Sequence, residues 1–158
     1  MQKSPRHSRQ KKRCRRPRGV VEAGSGLGGV FRYVLGDAVQ VWMRGNELPR
    51  WLAGNATAER IAATFPWGTL AVNIIGCFLI GLFYGLFDRY APAASPAAAH
   101  LRLLLTVGFC GGFTTFSTFI NENYLLFQSS NLPMVLLYLA LSILLGFLLL
   151  YAGYALLR

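Results

Sequence analysis

Charge is what this sequence has least of. Asp, Glu, Lys and Arg make up 14% of its 158 residues, against roughly 25% in soluble domains. Acids are the scarcer sign, six against sixteen basic residues, and the apolar fraction reaches 54%. A soluble domain of this size needs more polar surface than that, which excludes the soluble classes and leaves a single membrane domain. Histidine is nearly absent: His7 and His100 both lie outside the long apolar runs. A serine such as Ser25 therefore has no base at membrane depth, and an intramembrane enzyme is set aside. Cysteine is also sparse. Cys14, Cys77 and Cys110 are odd in number and widely spaced, which fits neither a zinc site nor a disulfide framework. Cys77 and Cys110 sit inside apolar runs, where cysteine behaves as a small hydrophobe.

The charge that is present is unevenly placed. Residues 1–18 hold nine of the sixteen Lys and Arg and no acid, while the remainder carries seven basic and six acidic residues. The net charge of +10 thus belongs to the tail and not to the body. The tail lacks the apolar core and cleavage site of a secretory signal. Nine like charges without an aromatic cannot form a packed core. We read residues 1–19 as a disordered cytoplasmic tail or as a translation start placed too early, Val20 or Val21 being the alternative start. Anionic-lipid or nucleic-acid binding is the competing reading of the tail, and a nucleic-acid partner is not expected. Residues 20–158 form the membrane domain.

Four spans are predicted. Trp67–Phe87, Leu103–Ile120 and Met134–Leu157 are uncharged runs, long enough as helices to cross a hydrocarbon core of roughly 30 Å. Val20–Met43 is the weaker first span, because it includes Glu22, Arg32 and Asp37. Gly24, Gly26, Gly28 and Gly29 crowd one stretch of it, as membrane helix interfaces tend to, and its charges must then face protein or water. Residues 44–65, 88–100 and 121–132 connect the spans.

Polar groups within these spans carry the chemistry. The third span reads Gly108-Phe-Cys-Gly-Gly-Phe-Thr-Thr-Phe-Ser-Thr-Phe119. Paired glycines followed by hydroxyl residues make a poor continuous helix, so a break near Gly111–Gly112 is expected. The alternative is a glycine packing face with hydroxyls bonded back to their own helix. Carbonyls freed by a break are tolerated in lipid only where they are buried, wetted or bound to an ion. Asn73 stands well inside the second span, with Thr69 four residues before it on the same face. Its amide suits an anion as a donor, or serves as glue between helices. Tyr138 and Ser142 repeat the same spacing in the last span.

Three motifs in order resemble the Fluc (CrcB) fluoride channel family: Gly-Gly-Val-Phe-Arg-Tyr at 28–33, Gly-Thr-Leu-Ala-Val-Asn-Ile-Ile-Gly at 68–76, and Gly-Gly-Phe-Thr-Thr-Phe-Ser-Thr-Phe at 111–119. The likeness runs from Gly24 to the C-terminus. It implies an all-α integral membrane protein of four transmembrane helices, the third broken, assembled as an antiparallel dimer in the inner membrane with dual topology. The dimer is of identical chains or of this chain with a homologous subunit, embedded in membrane lipid. The likeness also implies a central structural sodium ion (Na+) held by the backbone carbonyls of Gly111 and Thr114, hard oxygen ligands that suit a hard cation. Phe116 and Phe119 match the family's pore phenylalanines, whose ring edges carry partial positive charge. Asn73, Thr69, Tyr138 and Ser142 match polar positions along the fluoride path, while Arg32 and Glu122 match mouth or packing positions. Where the family often has a further serine, this chain has Gly146. The function implied is passive export of fluoride. A small proton-coupled multidrug exporter is the alternative, with Glu22 or Asp37 as its carboxylate.

Overall fold

The computed structural model describes residues 18–45, 63–90 and 95–158, and these are helical nearly throughout. Most of the tail predicted for residues 1–19 and most of the first connection lie outside the described residues. Arg18 and Gly19 already belong to the first helix. In chain order the elements are α1 (Arg18–Gly45), α2 (Trp67–Tyr90), α3 (Pro96–Arg102), a π-helical stretch (Leu103–Cys110), α4 (Gly111–Phe113), α5 (Phe116–Gln128) and α6 (Leu132–Leu157). Among the described residues three helical runs are long and apolar enough to cross a membrane: Trp67–Tyr90, Pro96–Gln128 and Leu132–Leu157. The more polar α1, 28 residues long, packs beside the π-helical stretch, α4 and α2 as the fourth rod.

Close helix approach at small residues holds the rods together, as expected where lipid removes the hydrophobic drive between helices. A Cβ added to Gly24 would lie 2.7 Å from the carbonyl oxygen of Leu104, and one on Gly28 would lie 2.8 Å from the backbone nitrogen of Phe113. Across the same contact Ser25 Oγ donates to the Gly108 carbonyl at 3.4 Å. On the other side α2 lies along α6, where a Cβ on Gly85 would come within 2.8 Å of the Tyr154 carbonyl oxygen.

The third rod departs twice from a plain α-helix. Thr106 Oγ1 donates to the Arg102 carbonyl at 2.7 Å, competing for the acceptor that a regular α ladder would use. The ladder there runs in the wider i→i+5 pattern over Leu103–Cys110. The second departure is a true break at Thr114–Thr115, just beyond the glycine pair. Gly111 keeps helical angles (φ −65°, ψ −33°), whereas Thr114 (φ −83°, ψ 158°) and Thr115 (φ −146°, ψ 114°) are extended. Gly112 is needed for another purpose, because a Cβ there would lie 2.8 Å from Ser25 Cα of α1. Thr115 restarts the helix as N-cap, its hydroxyl accepting from the Thr118 N–H at 3.3 Å. The rod then runs on to Gln128, so only residues 129–131 turn the chain into α6, with Ser130 in the left-handed region (φ 58°). The connection expected at 121–132 is mostly helix. The core of the molecule lies at this end: Phe65, Leu70, Phe119, Leu126, Met134, Val135 and Tyr138 are buried together.

Candidate functional site

The break leaves backbone groups that helix geometry would have satisfied, and α2 supplies their partner. The Thr115 N–H donates to Asn73 Oδ1 at 2.8 Å, and Asn73 Nδ2 donates to the Thr115 carbonyl at 3.2 Å. One amide side chain thus answers both groups of a buried residue, as bilayer depth demands. Asn73 therefore acts as glue between α2 and the broken rod, and one amide hydrogen is left over by its inventory of two donors. The rerouting has a second effect. The Thr115 N–H is the donor that an α ladder would aim at the Gly111 carbonyl. The Thr118 N–H, which would aim at the Thr114 carbonyl, goes instead to Thr115 Oγ1. Both carbonyls that the family resemblance points to thus lose their helical donors.

One turn before Asn73, Thr69 Oγ1 donates to Glu122 Oε1 at 2.6 Å. From α6, Tyr138 OH donates to the other oxygen, Oε2, at 2.8 Å. Glu122 is the meeting point of two side chains that the sequence named separately. It was expected only as a mouth or packing residue. The signal for it was the absence of charge from Leu103 to Ile120, which makes Glu122 the first charge after the hydroxyl-rich motif.

Tyr138 is fully buried between two ring edges, T-shaped against Phe119 at 4.8 Å and against Phe65 at 5.2 Å between centroids. Phe119 is 7% exposed and Phe116 is 76% exposed, their centroids 6.1 Å apart. Within one chain, then, Phe119 joins the Tyr138–Glu122 cluster while Phe116 faces outward. Ser142 lies one turn beyond Tyr138. Its Oγ is buried and, among the described residues, has no hydrogen-bond partner. A side chain in place of Gly146 would begin 3.4 Å from Cys77 Sγ of α2, an ordinary van der Waals contact.

A cavity of about 690 Å³ opens beside this cluster. α1 lines it with Arg32, Asp37, Gln40 and Arg44, and facing them are Thr69, Thr115, Thr118 and Glu122. Of the first-span charges, Arg32 and Asp37 line this space and Glu22 does not. The arrangement offers a polar mouth containing arginines, then hydroxyl donors around one carboxylate, then aromatic edges and a buried serine.

A family model described as CrcB-like protein, Camphor Resistance (CrcB), matches residues 20–154. A protein of Phocaeicola vulgatus named fluoride-specific ion channel FluC is 40% identical over 129 residues, covering 82% of this chain and 88% of that protein. Proteins of the same name from Bacteroides fragilis and Rhizobium etli are 47% and 37% identical, over 66% and 88% of this chain and 80% and 94% of theirs. With three runs long and apolar enough to span, this is a multi-pass membrane protein. Its sequence from residue 20 onward, its broken third rod and these relatives agree: the chain belongs to the CrcB family.

Proposed function

We propose that this chain is a fluoride-specific ion channel of the inner membrane. It lets fluoride leave the cytoplasm passively, lowering the intracellular level and giving resistance to the ion. The observation that carries this reading is the convergence of Thr69 and Tyr138 on Glu122 beside the Phe119 ring. Fluoride is small and tightly hydrated, so a path for it needs closely spaced donors to replace lost water. It must also bind the ion weakly enough to release it. Hydroxyl donors and ring edges meet both needs without a fixed cation at the constriction. Arg32 and Arg44 line the cavity before that point together with Asp37 and Glu122, so it carries charges of both signs. Thr69 and Tyr138 now donate to a carboxylate, and a fluoride ion arriving beside them is an alternative acceptor for the same hydrogens. Ser142 continues the donor path along α6, with Asn73 supplying its remaining amide hydrogen.

Two chains in antiparallel arrangement complete the path, the outward Phe116 being the ring that a second chain would cover. The Gly111 and Thr114 carbonyls would hold a structural Na+ between the chains. Their diverted helical donors are what favours them as ligands, and the ion would supply the positive charge that bare carbonyls in lipid require. The rival proton-coupled exporter gains a half-buried carboxylate in Glu122. Both of its oxygens, however, accept from hydroxyls.

The test is release of fluoride from liposomes loaded with potassium fluoride, with protein purified in sodium. We expect rapid fluoride release while chloride is retained, and no movement of organic cations under a proton gradient. Prolonged replacement of sodium by N-methylglucamine on both sides should then abolish flux slowly. A folded protein that releases no more fluoride than empty vesicles would overturn the channel reading. Flux that persists without sodium would overturn the ion assignment alone.

A further inference from the structure

Thr69 lies between two clamps of the same chemistry. Four residues after it, Asn73 holds both backbone groups of Thr115. One residue before it, the Gly68 N–H donates to Gln40 Oε1 at 3.0 Å, while Gln40 Nε2 donates to the Phe65 carbonyl at 3.3 Å. The first turn of any helix leaves its N–H groups without acceptors in the helix itself. Here an α1 side chain supplies the acceptor and also ties down the residue before Pro66. Gly36, one turn before Gln40 on the same face of α1, lies against Gly68: a Cβ on Gly68 would fall 3.0 Å from the Gly36 carbonyl carbon. The start of α2 is thus pressed onto α1 and pinned there by one amide.

Both side chains flanking that pinned point reach the Glu122 cluster. Thr69 follows Gly68 and donates to Glu122 at 2.6 Å. Phe65, fully buried, sets its ring against Tyr138, which donates to the other carboxylate oxygen. Gln40 has no hydrogen bond to Glu122, Thr69 or Tyr138 in the structure, and it lines the wall of the cavity that leads to them.

We infer that Gln40 is a positioning residue for the anion path. Its amide sets the register of the first turn of α2 and so fixes where the Thr69 hydroxyl stands relative to Glu122. This inference rests on the fluoride-channel reading. A merely structural role would lower stability whatever stands at position 69. A positioning role acts through Thr69 and disappears when that hydroxyl is gone.

The experiment is a double-mutant cycle in the liposome assay, with dimer elution and thermal unfolding measured on each protein. Gln40→Leu removes both bonds and should reduce fluoride flux about tenfold. Gln40→Asn keeps the amide on a shorter stem and should give a smaller loss. Thr69→Val should also reduce flux, and Gln40→Leu added to it should cost little more. Folded Gln40→Leu protein with wild-type flux would overturn the inference. So would losses that multiply in the double variant, or the failure of both Gln40 variants to fold, since Gln40 would then belong to the scaffold alone. A wild type that releases no fluoride would remove the channel reading, and this inference with it. With an active wild type, the cycle bears on Gln40 only.

Discussion

Phe116 and Phe119 stand one turn apart on α5 yet meet different surroundings, and that difference separates two effects of the same substitution. Isoleucine keeps much of the bulk of phenylalanine but has no polarised ring edge. Phe119→Ile also removes the edge contact with Tyr138, worth ~0.5–1.5 kcal/mol in aromatic pairs. It should therefore lower both fluoride flux and the unfolding temperature. Phe116→Ile should lower flux while leaving the unfolding temperature of the single chain nearly unchanged, because its ring is mostly exposed there. Wild-type flux from both folded variants, measured with a fluoride electrode, would sink the ring-edge role. Much of this cluster was legible in the sequence. Thr69, Asn73, Tyr138 and Ser142 stand out as polar letters in apolar runs, at spacings that share a helix face. Their partners were not legible. Thr69 and Tyr138 are 53 and 16 residues from the carboxylate they share, and no local pattern joins positions that far apart. The two readings open for Asn73, glue or anion donor, differ only in where its amide points. That is a tertiary fact.

At the scale of elements, the composition of the third span foretold a break near Gly111–Gly112, and it falls at Thr114–Thr115, just beyond the pair. Helix propensity alone points to the pair itself, since glycine is the weakest former present. Tertiary contact overrides it: Gly112 stays helical because α1 needs the space, and the threonines break because Asn73 and the Thr115 hydroxyl can answer their backbone. A graded series of alanines follows from this. Gly112→Ala and Gly28→Ala place a methyl group against the backbone of the neighbouring rod and should destabilise by ~1–3 kcal/mol, as overpacking does. Gly26→Ala meets nothing within 4 Å and should be neutral or slightly stabilising, alanine being the better helix former. Unfolding of the three proteins in mixed detergent would check the order. A Gly112→Ala protein as stable as Gly26→Ala would mean the rods do not meet as described.

Across the whole molecule, the contacts of Gly24 with Leu104 and of Gly68 with Gly36 place the start of α1 at the same end as the start of the third rod and the finish of α2. Arg89, Arg102 and Arg158 gather at that end, lying over the rings of Tyr90, Tyr84 and Tyr154 at 5.2, 4.7 and 5.8 Å, as anchors do at a membrane interface. Arg44, Arg50 and Arg60 fall between the first two apolar runs of the sequence, three against three, with Arg32 inside the first run. That near balance is what the proposed insertion in both orientations requires, whereas nine further basic residues at the start would hold that end in the cytoplasm. With the native cysteines replaced, Ala99→Cys should label from one side of the membrane in the full chain and from both sides in a chain starting at residue 20. One-sided labelling of the shorter chain would overturn dual insertion. The Asn73 clamp also sets an order of events during biogenesis. Its partners all lie within a single polypeptide, so the costliest exposed groups, the buried N–H donors, are answered as soon as that polypeptide has been threaded into the bilayer. If two chains pair in inverted orientation as proposed above, each can fold in the bilayer before it meets its mate, because this clamp draws on nothing outside its own polypeptide.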